Sequence, residues 1–136
     1  MVTLLKYNIF DQPLELCSLD PVTGYYRDGC CTSSDDDTGM HMVCAEMTID
    51  FLNFSLKKGN DLISAKPAFN FKGLKPGDRW CLCTDRWLEA LKARVAPKIF
   101  LNATNKEVLR KINIEILYVN LIINKIFQMN HFLLMI

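Results

Sequence analysis

GLKPGDRWCLCTDRWLEALKA, residues 73–93, sets a turn, a strand and a helix one after another with no slack between them. In Lys75-Pro76-Gly77-Asp78, proline presets φ for the first central position, and glycine accepts the positive φ of a type II turn. Arg79 to Cys83 then reads as a strand. Side chains alternate across a strand, so Trp80 and Leu82 face one way and Arg79, Cys81 and Cys83 the other. Thr84 or Asp85 offers an oxygen to cap a helix in which Trp87, Leu88, Leu91 and Val95 share a face, with Arg86, Glu89 and Lys92 opposite. Cys83 thus precedes a helix start, where a thiolate would meet unpaired N–H groups and a positive dipole end.

Working outward, MVCAEM (42–47) reads as a short buried strand, and Thr48 caps a helix over 49–58. Its inward face is expected to be Ile49, Leu52 and Leu56, widened by Phe51 and Phe54. VTLLKYNIF (2–10) is expected to open the chain as a strand, KIFLN (98–102) to form another, and 112–114 a last one. Thr104-Asn-Lys-Glu107 has the form of a capping box for a short helix to about Lys111. From Asp11 to Met40 the text is turn chemistry, a long loop holding Tyr25-Tyr26-Arg27 and Cys30-Cys31. The sum is α+β: one compact domain over 1–118, a small mixed sheet with about three helices packed on it, and a long N-terminal loop region. Residues 119–136, VNLIINKIFQMNHFLLMI, are apolar yet interrupted by polar residues before membrane-spanning length. They are expected to be a loosely packed or exposed tail, with Ile123, Phe127 and Leu134 aligned if it is helical.

The chain has 136 residues, 50% of them hydrophobic, and a formal charge of +1. A chain of this length buries a core without needing disulfides. Balanced, scattered charge leaves no footprint for nucleic acid or an anionic membrane. MVTLLKYNIFD lacks the features of a secretory signal, so a cytoplasmic or equally reducing compartment is expected. There, six cysteines read as free thiols, metal ligands or redox groups rather than as a disulfide framework.

Cys81 and Cys83 on one strand face are at the limit of disulfide reach, which suits either a strained dithiol or two small buried hydrophobes. Cys30-Cys31, after Arg27-Asp28-Gly29, offers a thiol beside a cation or a packed loop anchor. His41-x-x-Cys44 with Cys17 and Cys30 forms a mixed zinc ligand set, although no C-x-x-C pair repeats. His41 alone suits a general base for a nearby thiol. Asp35-Asp36-Asp37 reads as a solvated loop, because Met40 stands where a calcium loop needs glycine. No phosphate-cradling glycine loop, Gly-x-Ser-x-Gly elbow or His-Glu-x-x-His helix is present.

PLELCSLDPVTGYYRDGCC, GMHMVCAEMT, FSLKKGNDL and GLKPGDRWCLCTDRWLEA together resemble a family of small, mostly bacterial proteins known as the domain of unknown function DUF2237. The resemblance runs from about Asn8 to Leu117. It implies a single domain with no established activity, and it implies that Cys17, Cys30, Cys31, His41, Cys44, Cys81 and Cys83 fall on the family's pattern. Where that pattern has Ala-Thr-His, this chain has Ala103-Thr104-Asn105.

Three functions are consistent with these residues. The first is thiol chemistry, redox or nucleophilic, with Cys81, Cys83, Cys30, Cys31 and His41 as candidate catalytic groups and Arg27, Asp28, Arg79, Trp80 and Tyr26 as candidate binding groups. It needs no cofactor. The second is a non-catalytic module binding a small molecule or protein through Tyr25, Tyr26, Trp80 and Arg27. The third is a small zinc protein using Cys17, Cys30, His41 and Cys44.

Overall fold

The computed structural model describes residues 2–135, the side chains of residue 127 and of residues 131–135 excepted. Strands β1 (His41–Glu46) and β2 (Arg79–Cys83) pair antiparallel, with Cys44 opposite Cys81 and His41 opposite Cys83. Helix α1 (Ile49–Lys57) follows β1, α2 (Thr84–Lys92) leaves β2 without a break, and α3 (Ile114–Met135) closes the chain. This is the α+β domain expected from the sequence, with three α-helices, and its sheet is one antiparallel pair.

Both faces of that pair are covered. Trp80 and Leu82 join the main core with Val43, Ala45, Phe51, Leu52, Trp87 and Val108, whereas Cys81 turns to a second cluster with Cys17, Cys31, Cys44 and Ala103. The strand alternation read from 79–83 therefore separates an apolar face from a sulfur face. In α1 the Thr48 hydroxyl accepts from Phe51 N at 3.1 Å, as the sequence requires of a cap. The inward face differs from expectation: Phe51, Leu52 and Ser55 are buried, and Ile49 and Leu56 are exposed. The larger Phe51 takes the inward position, and Ser55 is tolerated beside it because its hydroxyl donates to Asn60 O.

Several expected elements are replaced by local hydrogen bonding. The opening strand reduces to single bridges from Leu5 to Ser33, Tyr7 to Pro13 and Asn8 to Asn105. Lys98 to Asn102 lies along the free edge of β1, where Glu46 N donates to Lys98 O and Phe100 N to Cys44 O, and then turns into a 3-10 segment. Thr104 does not cap the next turn. Its hydroxyl accepts from Cys44 N and donates to Phe100 O, so Asn105 becomes the cap and accepts from Glu107 N. The strand expected at 112–114 is absent because Asn113 accepts from Glu115 N and starts α3 instead. Leu117 is wholly buried, whereas Val119, Ile122, Ile123, Ile126 and Met129 are exposed. The alignment of Phe127 and Leu134 lies outside the described side chains.

The long loop is held by specific bonds in place of regular structure. Cys17 is bridged to Cys44 and Cys31 to Cys81, which ties the loop once to each strand. Between these anchors the Thr23 hydroxyl accepts from Cys81 N at 2.8 Å, and Asn105 Nδ2 donates to Leu5 O and Cys31 O. The two bridges correct the expectation that no disulfide framework is present. The sequence shows neither bridge because the partners lie 27 and 50 residues apart and meet only once the loop has folded over the strands.

Candidate functional site

A cleft of about 420 Å³ opens where the end of β2, the start of β1 and the loop meet. Cys83 stands on its wall as the N-cap residue of α2, and no side chain caps that helix. Neither Thr84 nor Asp85 serves as the cap. The Thr84 hydroxyl and N–H both donate to Met40 O, at 2.8 and 3.0 Å, which fixes the first turn of α2 to the chain entering β1. With no side chain capping α2, the N–H groups that follow Thr84 in its first turn and the helix dipole favour negative charge at this end of the cleft.

Opposite Cys83 in the strand register is His41. Its Nδ1 lies 2.6 Å from Asp37 Oδ1, and Asp37 is buried. The carboxylate also accepts from His41 N and from Ser33 Oγ through Oδ2. A carboxylate can only accept, so Nδ1 carries the hydrogen in the neutral ring and Nε2 is left as the basic nitrogen. Tyr25 stacks on the ring with centroids 6.0 Å apart. Gly39 leaves the space that the ring fills, since a Cβ there would come within 2.7 Å of His41 Cε1. The ring of His41 hydrogen-bonds to Asp37, and no hydrogen bond joins it to Cys83.

Arg27 completes the wall from the loop. It sits at φ 54°, donates through Nη1 to Gly24 O at 2.7 Å, and holds its guanidinium 5.1 Å from the Trp80 ring centroid. The turn before it requires Gly24, which has φ 101° and would drive a Cβ to within 2.3 Å of Cys30 O. Phe71 packs edge-on to Trp80, and Lys66 and Arg86 supply two further cations. Among the described residues lining the cleft, none is acidic. The lining therefore presents aromatic surface with positive charge around one thiol.

Of the residues singled out in the sequence, Cys81, Cys83, His41, Arg27, Trp80 and Tyr25 meet at this cleft, although Cys81 is bridged to buried Cys31. The others lie elsewhere. Cys30 is a free thiol away from the cleft, and burial, then the nearby Asp28 charge, raise its pKa. Asp28 accepts from Cys30 N and the Thr32 hydroxyl, which is a loop-building role. Tyr26 is hydrogen-bonded to Ser34 Oγ. Arg79 lies over Phe100, 3.8 Å from its centroid, beside a different depression. Of the mixed zinc set, Cys17 and Cys44 are bridged to each other in the buried sulfur cluster, and Cys30 and His41 lie outside that cluster.

Asp37, Lys66 and Phe71 escaped the sequence reading as site residues, whereas Arg86, three residues after Cys83, was expected near that thiol and does line the cleft. Asp37 is buried rather than solvated, in contrast to its exposed neighbours Asp35 and Asp36. The signal for it was its place four residues before His41 with Gly39 between, a turn that folds the carboxylate back onto the imidazole.

Taken together, the fold and cleft define a small α+β domain with two buried bridges and one thiol paired in register with a carboxylate-held histidine. Among known sequences, the family described as an uncharacterized protein conserved in bacteria (DUF2237) matches residues 7–120, and the chain belongs to it. No curated protein matches the chain. Among the described residues, no helix is long and apolar enough to cross a membrane.

Proposed function

We propose that the cleft is a nucleophilic thiol site acting on a small anionic molecule with a planar or apolar part. Cys83 is the nucleophile, His41 Nε2 takes its proton, and Asp37 is the positioning residue that holds the imidazole. In the chemical step the Cys83 sulfur forms a bond to an electrophilic atom of the substrate, and the bond to the leaving group breaks. The leaving group departs with the electron pair and takes the proton from His41. Arg27, Lys66 and Arg86 receive the anionic part, and Tyr25, Phe71 and Trp80 receive the planar part. The observation that carries this reading is the 2.6 Å Asp37–His41 contact directly across the strand pair from Cys83, because a buried carboxylate holding one imidazole nitrogen leaves the other directed to a reaction.

The test is the rate of iodoacetamide labelling at each free cysteine as a function of pH. Cys83 is expected to label faster than Cys30 at neutral pH. His41→Ala is expected to slow Cys83 by at least about tenfold while leaving Cys30 unchanged. Because its thiol is held up by burial and Asp28, Cys30 is expected to gain reactivity only at a pH above that of an ordinary exposed thiol. Equal rates at the two cysteines, or no response of Cys83 to His41→Ala, would remove the basis for a thiol catalyst. The cleft would then stand as a binding site for anions without chemistry.

A further inference from the structure

The sulfurs of Cys17, Cys31 and Cys81 all lie within 4.8 Å of one another, in the buried cluster behind β2. The fourth, Cys44, is 2.05 Å from that of Cys17, and its Cα is paired with that of Cys81 across the strands. The two bridges thus form one four-sulfur group, drawn from two loop positions and two adjacent strands. In a tetrahedral thiolate zinc site, Zn–S bonds of about 2.3 Å place the sulfurs about 3.8 Å apart. No pair among the Cys17, Cys31 and Cys81 sulfurs exceeds that spacing by more than about 1 Å, and the bonded pairs can separate to it by side-chain rotation once the bridges are reduced.

We propose that in a reducing compartment these four cysteines hold one zinc ion, and that the two disulfides are the oxidised form of the same site. A dithiol reductant supplies two electrons and two protons to each bridge and is itself converted to a disulfide, leaving four thiols in the protein. Zinc then replaces the four protons, which pass to solvent. The tetrathiolate centre carries two negative charges, and the surroundings answer that charge. Phe100 packs on the sulfur cluster, with Arg79 3.8 Å and Lys98 5.2 Å from its ring centroid. The metal keeps the loop fastened to both strands when the covalent bridges are open, so the Arg27 wall of the cleft persists under reducing conditions. This site is independent of the chemistry assigned to Cys83 and uses neither Cys83 nor His41.

The full-length chain, reduced with a phosphine under anaerobic conditions, is titrated with cobalt(II) and then with zinc. One cobalt per chain is expected, with the charge-transfer and d–d absorption of tetrahedral thiolate ligation, displaced by one equivalent of zinc. In the zinc form, Cys17, Cys31, Cys44 and Cys81 are expected to resist alkylation at least about tenfold more than in the metal-free reduced chain, with Cys30 and Cys83 unaffected. Cys44→Ser is expected to lose the tetrahedral spectrum and Cys83→Ser to keep it. If the Cys44 variant does not fold, the alkylation map of the unmodified chain gives the answer by itself. Absence of cobalt uptake by the reduced chain, or protection centred on Cys30 or Cys83, would overturn the proposal.

Discussion

The long loop and the far half of α3 invert each other's composition and burial. The loop from Asp11 to Met40 is polar and almost without regular structure, yet Cys17, Thr23, Cys31, Ser33 and Asp37 are buried in it. The helix beyond Leu117 is apolar and regular, yet Val119, Ile122, Ile123, Ile126 and Met129 are 52–64% exposed. What decides the difference is whether a segment has partners. Loop residues are buried because each polar group has a named acceptor or donor and each bridge a strand to grip, while among the described side chains the helix gives the core Leu117 and Leu121, with Asn120 buried beside them. Apolar content alone therefore says little about which segment belongs to the folded body.

That contrast can be broken most directly at Cys81. Replacing Cys81 with Ser opens a crosslink spanning 50 residues, and loop-closure entropy puts the expected loss under oxidising conditions at about 4 kcal/mol. The shift in urea midpoint without reductant measures it, and a loss under about 1 kcal/mol would show that hydrogen bonds and the remaining Cys17–Cys44 bridge suffice to hold the loop. Thr23→Val is the next largest: it leaves the buried Cys81 N–H without an acceptor, with an expected cost of about 1–3 kcal/mol in the same measurement.

Gly39→Ala sharpens the comparison at the cleft, because the added methyl displaces the His41 ring more than the backbone. It is expected to cost about 1 kcal/mol or less while lowering the Cys83 labelling rate to nearly that of His41→Ala. Unchanged labelling would mean that the ring orientation does not matter to the thiol. The smallest effect is expected from ending the chain after Lys125. That removes only helix beyond the family match and should alter stability by no more than about 0.5 kcal/mol in thermal unfolding.

The central turn, β2 and α2 were legible in the sequence because each is specified locally, by Pro76-Gly77, by alternation and by the spacing of Trp87 and Leu91. The cap of α1 was legible for the same reason. The bridges, the buried Asp37 and the role of Thr104 were not, because each depends on a partner distant in sequence or on a carboxylate indistinguishable from its neighbours until the chain turns back. At the cleft, Cys83, His41, Arg27 and Trp80 were named from local patterns. Arg86 was legible as a neighbour of Cys83 on the same helix, whereas Lys66 and Phe71 join them only through the folding of separate segments around one opening.

The two bridges interleave along the chain, the second opening inside the span of the first and closing beyond it. The two rings therefore overlap, and Cys30 offers a competitor one residue from Cys31. Rings closed through Cys30 or Cys31 differ by a single residue, so chain entropy hardly separates right from wrong. The choice falls to the folded loop, which buries Cys31 in the sulfur cluster and leaves Cys30 outside it. A chain carrying Cys30→Ser should accordingly give fewer scrambled isomers and a higher yield of native material when refolded in air.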